Sequence, residues 1–128
     1  MRENPAKVLE SAEIYDAIRI ILDHGLSGLT VVDEENNVKG VVSELDCLRA
    51  VIGSAYNESS YRVGTVSEYM SHPVDACHPE DSAFEVAQDM LAKNQRRRPV
   101  VKDGKLIGQV SCRNVLWAIG NYTGALED

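Results

Sequence analysis

The sequence contains one supersecondary pattern twice. Residues 40–46 read GVVSELD, and residues 108–114, sixty-eight positions later, read GQVSCRN. Earlier in each copy, apolar residues recur at i, i+3, i+4, i+7 and i+8, the spacing of one buried helix face. These positions are Ile14, Ala17, Ile18, Ile21 and Leu22 in the first copy and Ala83, Val86, Ala87, Met90 and Leu91 in the second. A chain with this repeat is expected to fold as two similar halves.

Each copy also predicts an antiparallel hairpin after its first helix. In the first copy, the β-rich runs LTVVD (29–33) and VKGVV (38–42) flank the polar turn EENN. In the second copy, RPVVK (98–102) and LIGQV (106–110) flank the turn DGK. Two short β-rich runs joined by a polar turn are typical of a hairpin. The second turn is one residue shorter, so the offset between the copies falls from 69 to 68 residues.

Capping residues predict where the helices begin and end. The predicted N-caps carry short polar side chains and are Ser11, Asp81 or Ser82, Ser43 and Ser111. The predicted stops of the first helix in each copy are Gly25 and Asn94. Each copy therefore reads strand, helix, strand, strand and helix, which gives an α/β (α+β) fold class.

This order divides the chain into two repeats. We assign residues 1–52 to repeat 1, 53–65 to a polar and irregular linker, 66–120 to repeat 2 and 121–128 to a C-terminal tail. A repeat of about 45 ordered residues is too small to bury a sheet face alone. The two repeats are therefore expected to pack through their sheets into one pseudo-symmetric unit.

The composition narrows the classes of function. The net charge of −7 argues against a general binder of nucleic acids or membrane surfaces, and no apolar run approaches the roughly 18 residues of a membrane span. Cys47, Cys77 and Cys112 are odd in number, and the N-terminus has no apolar signal region, so we expect free thiols in a cytoplasmic protein. We expect neither a metal site nor an enzyme, because no ligand set or catalytic constellation stands out.

The two copies resemble the cystathionine-β-synthase (CBS) domain, and two in tandem resemble a Bateman module. The resemblance lies in SGLTVVDEENNVKGVVSELDCL and RRRPVVKDGKLIGQVSCRNVL, joined by VSEYMSHPVDACHPEDSAFEVAQDML with its Met70-x-x-Pro73. It implies a regulatory module without a required cofactor. Such a module binds AMP, ADP, ATP or S-adenosylmethionine in clefts between repeats, forms a homodimer and signals to an unidentified protein target.

The resemblance also implies two pseudo-equivalent nucleotide sites. Asp46 would accept the ribose hydroxyls of the first site, and Ser43 would approach the phosphates. Ser111 and Asn114 hold the equivalent places in the second site. The base contacts that it implies are Val8, Leu29 and Thr30 in the first site and Cys77, Arg98 and Pro99 in the second.

The residue types suit these roles. A carboxylate can accept hydrogen bonds from both hydroxyls of a ribose, and a helix N-terminus suits a phosphate. Gly40 and Gly108 permit close backbone approach. Residues 93–113 carry seven positive charges against one acid, and among them Arg96, Arg97 and Arg98 could clamp phosphate oxygens. Such a run is also typical of a solvated face.

Several alternatives remain open. Ser43 and Asp46 also fit a capping box, which would only begin a helix. Asn114 is neutral, so the second site is expected to hold a ribose more weakly by about 1 kcal/mol, or to be vacant. Arg98 stands where the first copy has Leu29 and could block the second base pocket or stack on a ligand. The alternative function is a ligand-free dimerisation or docking module with degenerate pockets.

Overall fold

A computed structural model of the chain describes residues 2–56 and 63–126. The chain divides into two compact units. Ala6–Val74 form the unit that we call the first, and Met1–Pro5 together with Asp75–Asp128 form the second. Each unit combines one small sheet with helices, which confirms the mixed α+β class.

The first copy follows the order that the repeat predicts, whereas in the second copy an isolated bridge at Cys77 stands in place of the first strand. Along the described residues the elements are β1 (Arg2–Glu3), β2 (Lys7–Leu9), α1 (Ile14–His24), β3 (Gly28–Val32), β4 (Val38–Ser43), α2 (Glu44–Tyr56), α3 (Val66–Tyr69), α4 (Ala83–Ala92), β5 (Arg97–Lys102), β6 (Lys105–Ser111) and α5 (Cys112–Thr123). Both predicted hairpins are confirmed, as β3–β4 and β5–β6. Among the described helices, none combines the length and apolar character needed to cross a bilayer.

The sheet of the first unit has the order β2–β3–β4. β2 runs parallel to β3, with Val8 opposite Val31, and β4 runs antiparallel to β3. At the other edge, Ser71 forms an antiparallel bridge with Val41 of β4. The segment around Ser71, which the sequence assigns to repeat 2, therefore belongs to the first unit and covers the outer edge of its sheet.

The second unit repeats this arrangement. Its sheet has the order β1–β6–β5, and Cys77 forms a parallel bridge with Val100 of β5, in place of a full strand. β1 runs antiparallel to β6, with Arg2 opposite Gln109. The N-terminal strand thus covers the edge of the second sheet where Ser71 covers the edge of the first, and no β-rich sequence run predicts it.

The first helix of each copy begins later than the first predicted cap. Ser11 is wrong as an N-cap, because α1 begins at Ile14 and its N-cap is Glu13. In the second copy the N-cap is Ser82, and Asp81 instead accepts a hydrogen bond from the backbone N–H of His78. The predicted C-terminal stops are confirmed: Gly25 has φ 61° and Asn94 has φ 53°, and both lie in the left-handed region that ends helices.

The predicted apolar helix face is wider than the face that is buried. Ile14, Ala17 and Ile21 of α1 are buried in the core of the first unit. Leu22 is 72% exposed, and its counterpart Leu91 on α4 is 82% exposed. The last position of the i, i+3, i+4, i+7, i+8 pattern therefore lies outside the packed stripe in both copies.

The predicted linker and tail are partly helical. α2 runs to Tyr56, so residues 53–56 continue the helix, since a glycine in a helix costs only about 1 kcal/mol. Residues 57–62 of the predicted linker lie outside the described residues. α5 runs to Thr123, three residues past the predicted boundary, and residues 127–128 lie outside the described range.

Candidate functional site

The first copy of the repeated motif closes into a capping box at the start of α2. The backbone N–H and the hydroxyl of Ser43 donate to Oδ2 of Asp46 at 2.9 and 3.0 Å, and the backbone N–H of Asp46 donates to Ser43 Oγ at 3.2 Å. These hydrogen bonds confirm the capping box that the sequence predicts. It leaves the second carboxylate oxygen of Asp46 outside the box.

Within the described part of the chain that second oxygen has one partner, which the sequence analysis did not predict. Arg49, one helical turn later, donates from its guanidinium to Asp46 Oδ1 at 2.9 Å. The two side chains differ in exposure: Asp46 is 9% exposed and Arg49 is 69% exposed. The carboxylate is therefore held in place, while the arginine lies mostly in solvent. The i, i+3 spacing of the two residues could have indicated the pair.

The predicted base-contact residues of the first copy lie on neighbouring strands. Val8 of β2 and Leu29 and Thr30 of β3 are all buried. β3 pairs with β4 so that Gly28 lies opposite Ser43 and Leu29 lies opposite Val42. The sheet therefore brings the start of β3, which is mainly apolar, beside the capping box that holds Asp46.

Gly40 permits a close approach, but of the protein's own chain. A Cβ built on Gly40 would lie 2.6 Å from Met70 Sδ and 2.9 Å from the Ser71 carbonyl oxygen. Ser71 and Val41 exchange backbone hydrogen bonds of 2.8 and 3.0 Å beside it. This glycine is needed so that the segment around Met70 can pack against β4.

The second copy of the motif has the same geometry with a neutral side chain. The backbone N–H and hydroxyl of Ser111 donate to Asn114 Oδ1 at 3.0 and 3.1 Å, and the Asn114 N–H donates to Ser111 Oγ at 3.2 Å. The one oxygen of Asn114 is thus used by the capping box, and its NH2 group takes the place of Asp46 Oδ1. The position of Arg49 is held by Trp117, which is 65% exposed.

Two of the three predicted phosphate-binding arginines flank the start of α5. Arg97 lies opposite Ser111 in the β5–β6 ladder, and the backbone N–H of Cys112 donates to the Arg96 carbonyl oxygen at 2.9 Å. The side chains of Arg96 and Arg97 are exposed. Their backbone therefore lies beside the N-terminus of the helix, where a positive potential suits an anion.

The third arginine belongs to a closed ring of side chains. Arg98 is 5% exposed; its Nε donates to Gln95 Oε1 at 2.7 Å, and its guanidinium also donates to Asp89. Gln95 donates to Asp75 Oδ2 at 2.7 Å, and Lys93 bridges Asp75 and Asp89 at 2.8 and 3.1 Å. We call these five residues the Arg98 ring. Its two cations and two carboxylates balance, so Arg98 contributes no free charge.

The ring perturbs the ionisation of its members. Hydrogen bonds from Arg98 and then Lys93 hold the pKa of Asp89 below its usual value, and those from Lys93 and Gln95 lower the pKa of Asp75. The two carboxylates in turn raise the pKa of Lys93.

The remaining base-contact residues of the second copy lie beside Arg98: the N–H of Cys77 donates to the carbonyl oxygen of Pro99 at 2.9 Å.

The cysteines are free thiols with different environments. Burial raises the pKa of Cys47 and of Cys77, whereas Cys112 at the start of α5 is exposed. Among the described residues, no group of three or more His, Cys, Asp or Glu side chains is placed to hold a metal ion.

Large apolar side chains are exposed on helices of both units. In the first unit they include Tyr15, Leu22, Leu45, Leu48 and Ile52, and in the second Phe84, Leu91, Leu116, Trp117 and Tyr122. In the second unit, Phe84 and Tyr122 meet edge to face at 5.7 Å and border a groove of about 320 Å³ between α4 and α5. Exposed apolar surface of this extent is typical of protein interfaces.

The chain is similar to proteins of known sequence and structure. The gamma-3 subunit of the 5'-AMP-activated protein kinase of Homo sapiens is 34% identical over 119 residues, which are 89% of this chain and 24% of that subunit. CBSX2, solved in complex with AMP, is 28% identical with a TM-score of 0.81, over 96% of this chain and 94% of its own. The CBS domain pair of MJ0100, solved with 5'-methylthioadenosine and S-adenosyl-L-methionine, is 25% identical with a TM-score of 0.73, over 92% and 93%.

The chain spans between 23% and 65% of the length of eight curated relatives that match it. The model of the CBS domain family matches it twice, at residues 1–53 and 66–121. These two stretches contain the two repeats, with a capping-box motif in each. The chain therefore belongs to the CBS domain family and carries two copies of that domain.

Proposed function

We propose that this chain is a regulatory module that binds an adenosine-containing ligand and signals to a partner protein. AMP, ADP and ATP are the proposed ligands, and S-adenosylmethionine is a further one. Two similar structures support this choice, since one was solved with AMP and the other with 5'-methylthioadenosine and S-adenosyl-L-methionine. The ligand acts as an effector and the module is not catalytic.

The observation that carries the proposal is the half-engaged carboxylate of Asp46. Its Oδ2 is committed to the capping box, and among the residues that the structure describes its Oδ1 is held only by the mostly exposed Arg49. An exposed ion pair of this kind contributes about 0.2–1 kcal/mol, whereas a hydrogen bond to a charged group contributes about 1.5–3 kcal/mol. A ribose hydroxyl can therefore displace Arg49 with a net gain.

The surroundings of Asp46 suit the rest of an adenosine. The buried apolar start of β3 beside the capping box offers a surface for the base, in agreement with the predicted roles of Val8, Leu29 and Thr30. Ser43 lies at the N-terminus of α2, which favours a phosphate. Exposed Arg96 and Arg97 are proposed to attract phosphate groups at the start of α5, where Ser111 and Asn114 hold the places that correspond to Ser43 and Asp46.

Isothermal titration calorimetry tests this proposal on the whole chain. AMP, ADP, ATP and S-adenosylmethionine are titrated separately into protein whose absorbance spectrum confirms that no nucleotide has co-purified. Saturable binding of at least one ligand is expected. A folded, nucleotide-free protein that gives no binding with any of the four contradicts the proposal.

The exposed apolar residues support a second proposal, which is assembly. We propose a homodimer formed through helices, because α1, α2, α4 and α5 expose large apolar side chains. Sedimentation velocity measures the mass with and without AMP. A dimer in both conditions together with no nucleotide binding would favour the alternative function, a ligand-free dimerisation or docking module.

The free thiols of Cys47, Cys77 and Cys112 support a proposed cytoplasmic location, where thiols stay reduced.

A further inference from the structure

The Arg98 ring replaces a mainly apolar set of residues in the first repeat. At the offset of 69 residues, its members Asp75, Asp89, Lys93, Gln95 and Arg98 correspond to Ala6, Ile20, His24, Leu26 and Leu29. Leu29 is buried in the hydrophobic core of the first unit, and Ala6, Ile20 and Leu26 pack against that core. Four of the five positions are therefore apolar in one repeat and polar or charged in the other.

The two sets lie at the same place relative to their motifs. Leu29 pairs with Val42 of β4, and its neighbour Gly28 lies opposite Ser43. Arg98 pairs with Val110 of β6, and its neighbour Arg97 lies opposite Ser111. The surface beside the first capping box is therefore apolar, whereas the surface beside the second is formed by the buried guanidinium of Arg98, which is held by side chains that are partly exposed.

These two surfaces differ in the ligand groups that they can bind. The faces of an adenine ring are apolar, and their removal from water is favourable against aliphatic side chains. An arginine can also stack on an aromatic ring, but only through an open face of its guanidinium. Arg98 is 5% exposed and is held by Asp89 and Gln95, so it presents no such face. Moving it aside would break hydrogen bonds to a buried charge, which is costly.

We propose that the Arg98 ring is the specificity determinant that keeps adenosine out of the second repeat, so that the chain binds one adenosine-containing ligand, at the first repeat. This inference rests on the proposed function above. It assigns the difference in adenosine affinity between the two sites mainly to the Arg98 ring, and only in part to the presence of Asn114 where the first repeat has Asp46.

The test replaces three ring members by their counterparts from the first repeat. The triple variant Asp89→Ile, Gln95→Leu and Arg98→Leu is titrated with AMP in a calorimeter beside the wild-type chain. Lys93 and Asp75 keep their own ion pair in this variant. We expect one AMP per wild-type chain and two per variant chain. Gln88→Leu, which adds an apolar residue at an exposed position of α4 outside the ring, is the matched control and should remain at one.

Hydrogen exchange of the wild-type chain gives a measurement that does not depend on folding of the variant. AMP is expected to slow amide exchange in residues 27–46 and to leave residues 95–114 unchanged. Slowed exchange in residues 95–114, two AMP per wild-type chain, or one AMP per folded triple variant would each overturn this inference and leave the proposed function standing. No AMP bound by any of the proteins, together with no binding of the other three ligands, would overturn both.

Discussion

Replacing Asp46 by asparagine should weaken AMP binding and leave the fold nearly unchanged. The second repeat is the internal reference for this change, because Asn114 forms the same capping box with Ser111 at distances within about 0.1 Å of those between Ser43 and Asp46. Asparagine at position 46 can therefore keep the helix start intact. It loses the charge that is proposed to bind a ribose.

The expected loss follows from the hydrogen bonds. In Asp46→Asn, the one side-chain oxygen serves the capping box, and the group that replaces Oδ1 is an NH2. The variant loses a hydrogen bond of a charged acceptor, about 1.5–3 kcal/mol, and regains at most a neutral one, about 0.5–1.5 kcal/mol. The wild-type chain must also give up the Arg49 ion pair, about 0.2–1 kcal/mol, so the net loss of about 0.5–1 kcal/mol corresponds to a roughly two- to fivefold higher Kd.

Isothermal titration calorimetry with AMP measures this change, and thermal unfolding monitored by circular dichroism checks the fold. Asp16→Asn is the matched control, because Asp16 also forms an i, i+3 ion pair with an arginine, Arg19, at 3.1 Å. Both substitutions remove one negative charge and one such pair, but Asp16 lies on α1 away from the capping box. An Asp46→Asn protein that stays folded and binds AMP as tightly as the Asp16→Asn control would refute the role of the carboxylate.

Three further predictions concern packing, pH and thiols. Gly40→Ala should lower the free energy of unfolding in urea by about 1–3 kcal/mol, because the added Cβ would lie 2.6 Å from Met70 Sδ. A Cβ added at Gly53 has nothing within 4 Å, so Gly53→Ala should stabilise α2 by about 0.5–1 kcal/mol. Arg98 lowers the pKa of Asp89 from 3.8, so this carboxylate stabilises the fold above that pH and its contribution is lost as the pH falls through the lower folded-state pKa. Asp89→Asn should therefore lower the melting temperature at neutral pH, and the difference should vanish in strong acid; an equal difference at both would contradict the ion pair. In a thiol titration of the native protein with a chromogenic disulfide, Cys112 should react first, and the buried thiols of Cys47 and Cys77 should react only on unfolding. Fast reaction of all three thiols would contradict the burial of Cys47 and Cys77.

The hairpins and helices could be predicted because their signals are local. The polar turns between β-rich runs define both hairpins, and the left-handed conformation of Gly25 and Asn94 ends the helices where glycine and asparagine are favoured. The position of Ser43 and Ser111 before a helix likewise follows from short-range hydrogen bonds. Each of these features is decided by residues within a few positions of one another.

The remaining features depend on contacts between distant residues. Helical periodicity identifies the apolar side of α1 and predicts that Leu22 is buried. How many of these positions are packed depends on the neighbouring elements, and Leu22 is exposed. The sequence alignment of the two repeats makes Arg98 the counterpart of Leu29. It does not show that Asp75, 23 residues before Arg98, joins the same ring. The ligand roles of Asp46 and its partners stay predictions.

The strand at the N-terminus has a consequence for the order in which the chain folds. Arg2 pairs with Gln109, so this contact closes a loop of about 100 residues, and the entropy lost on closure grows with loop length. The strand–strand contacts within Ala6–Val74 lie in one continuous stretch, which is synthesised before Asp75–Asp128. We therefore expect the first unit to form early and β1 to dock last, so that the second sheet gains its outer strand only after synthesis has passed β6.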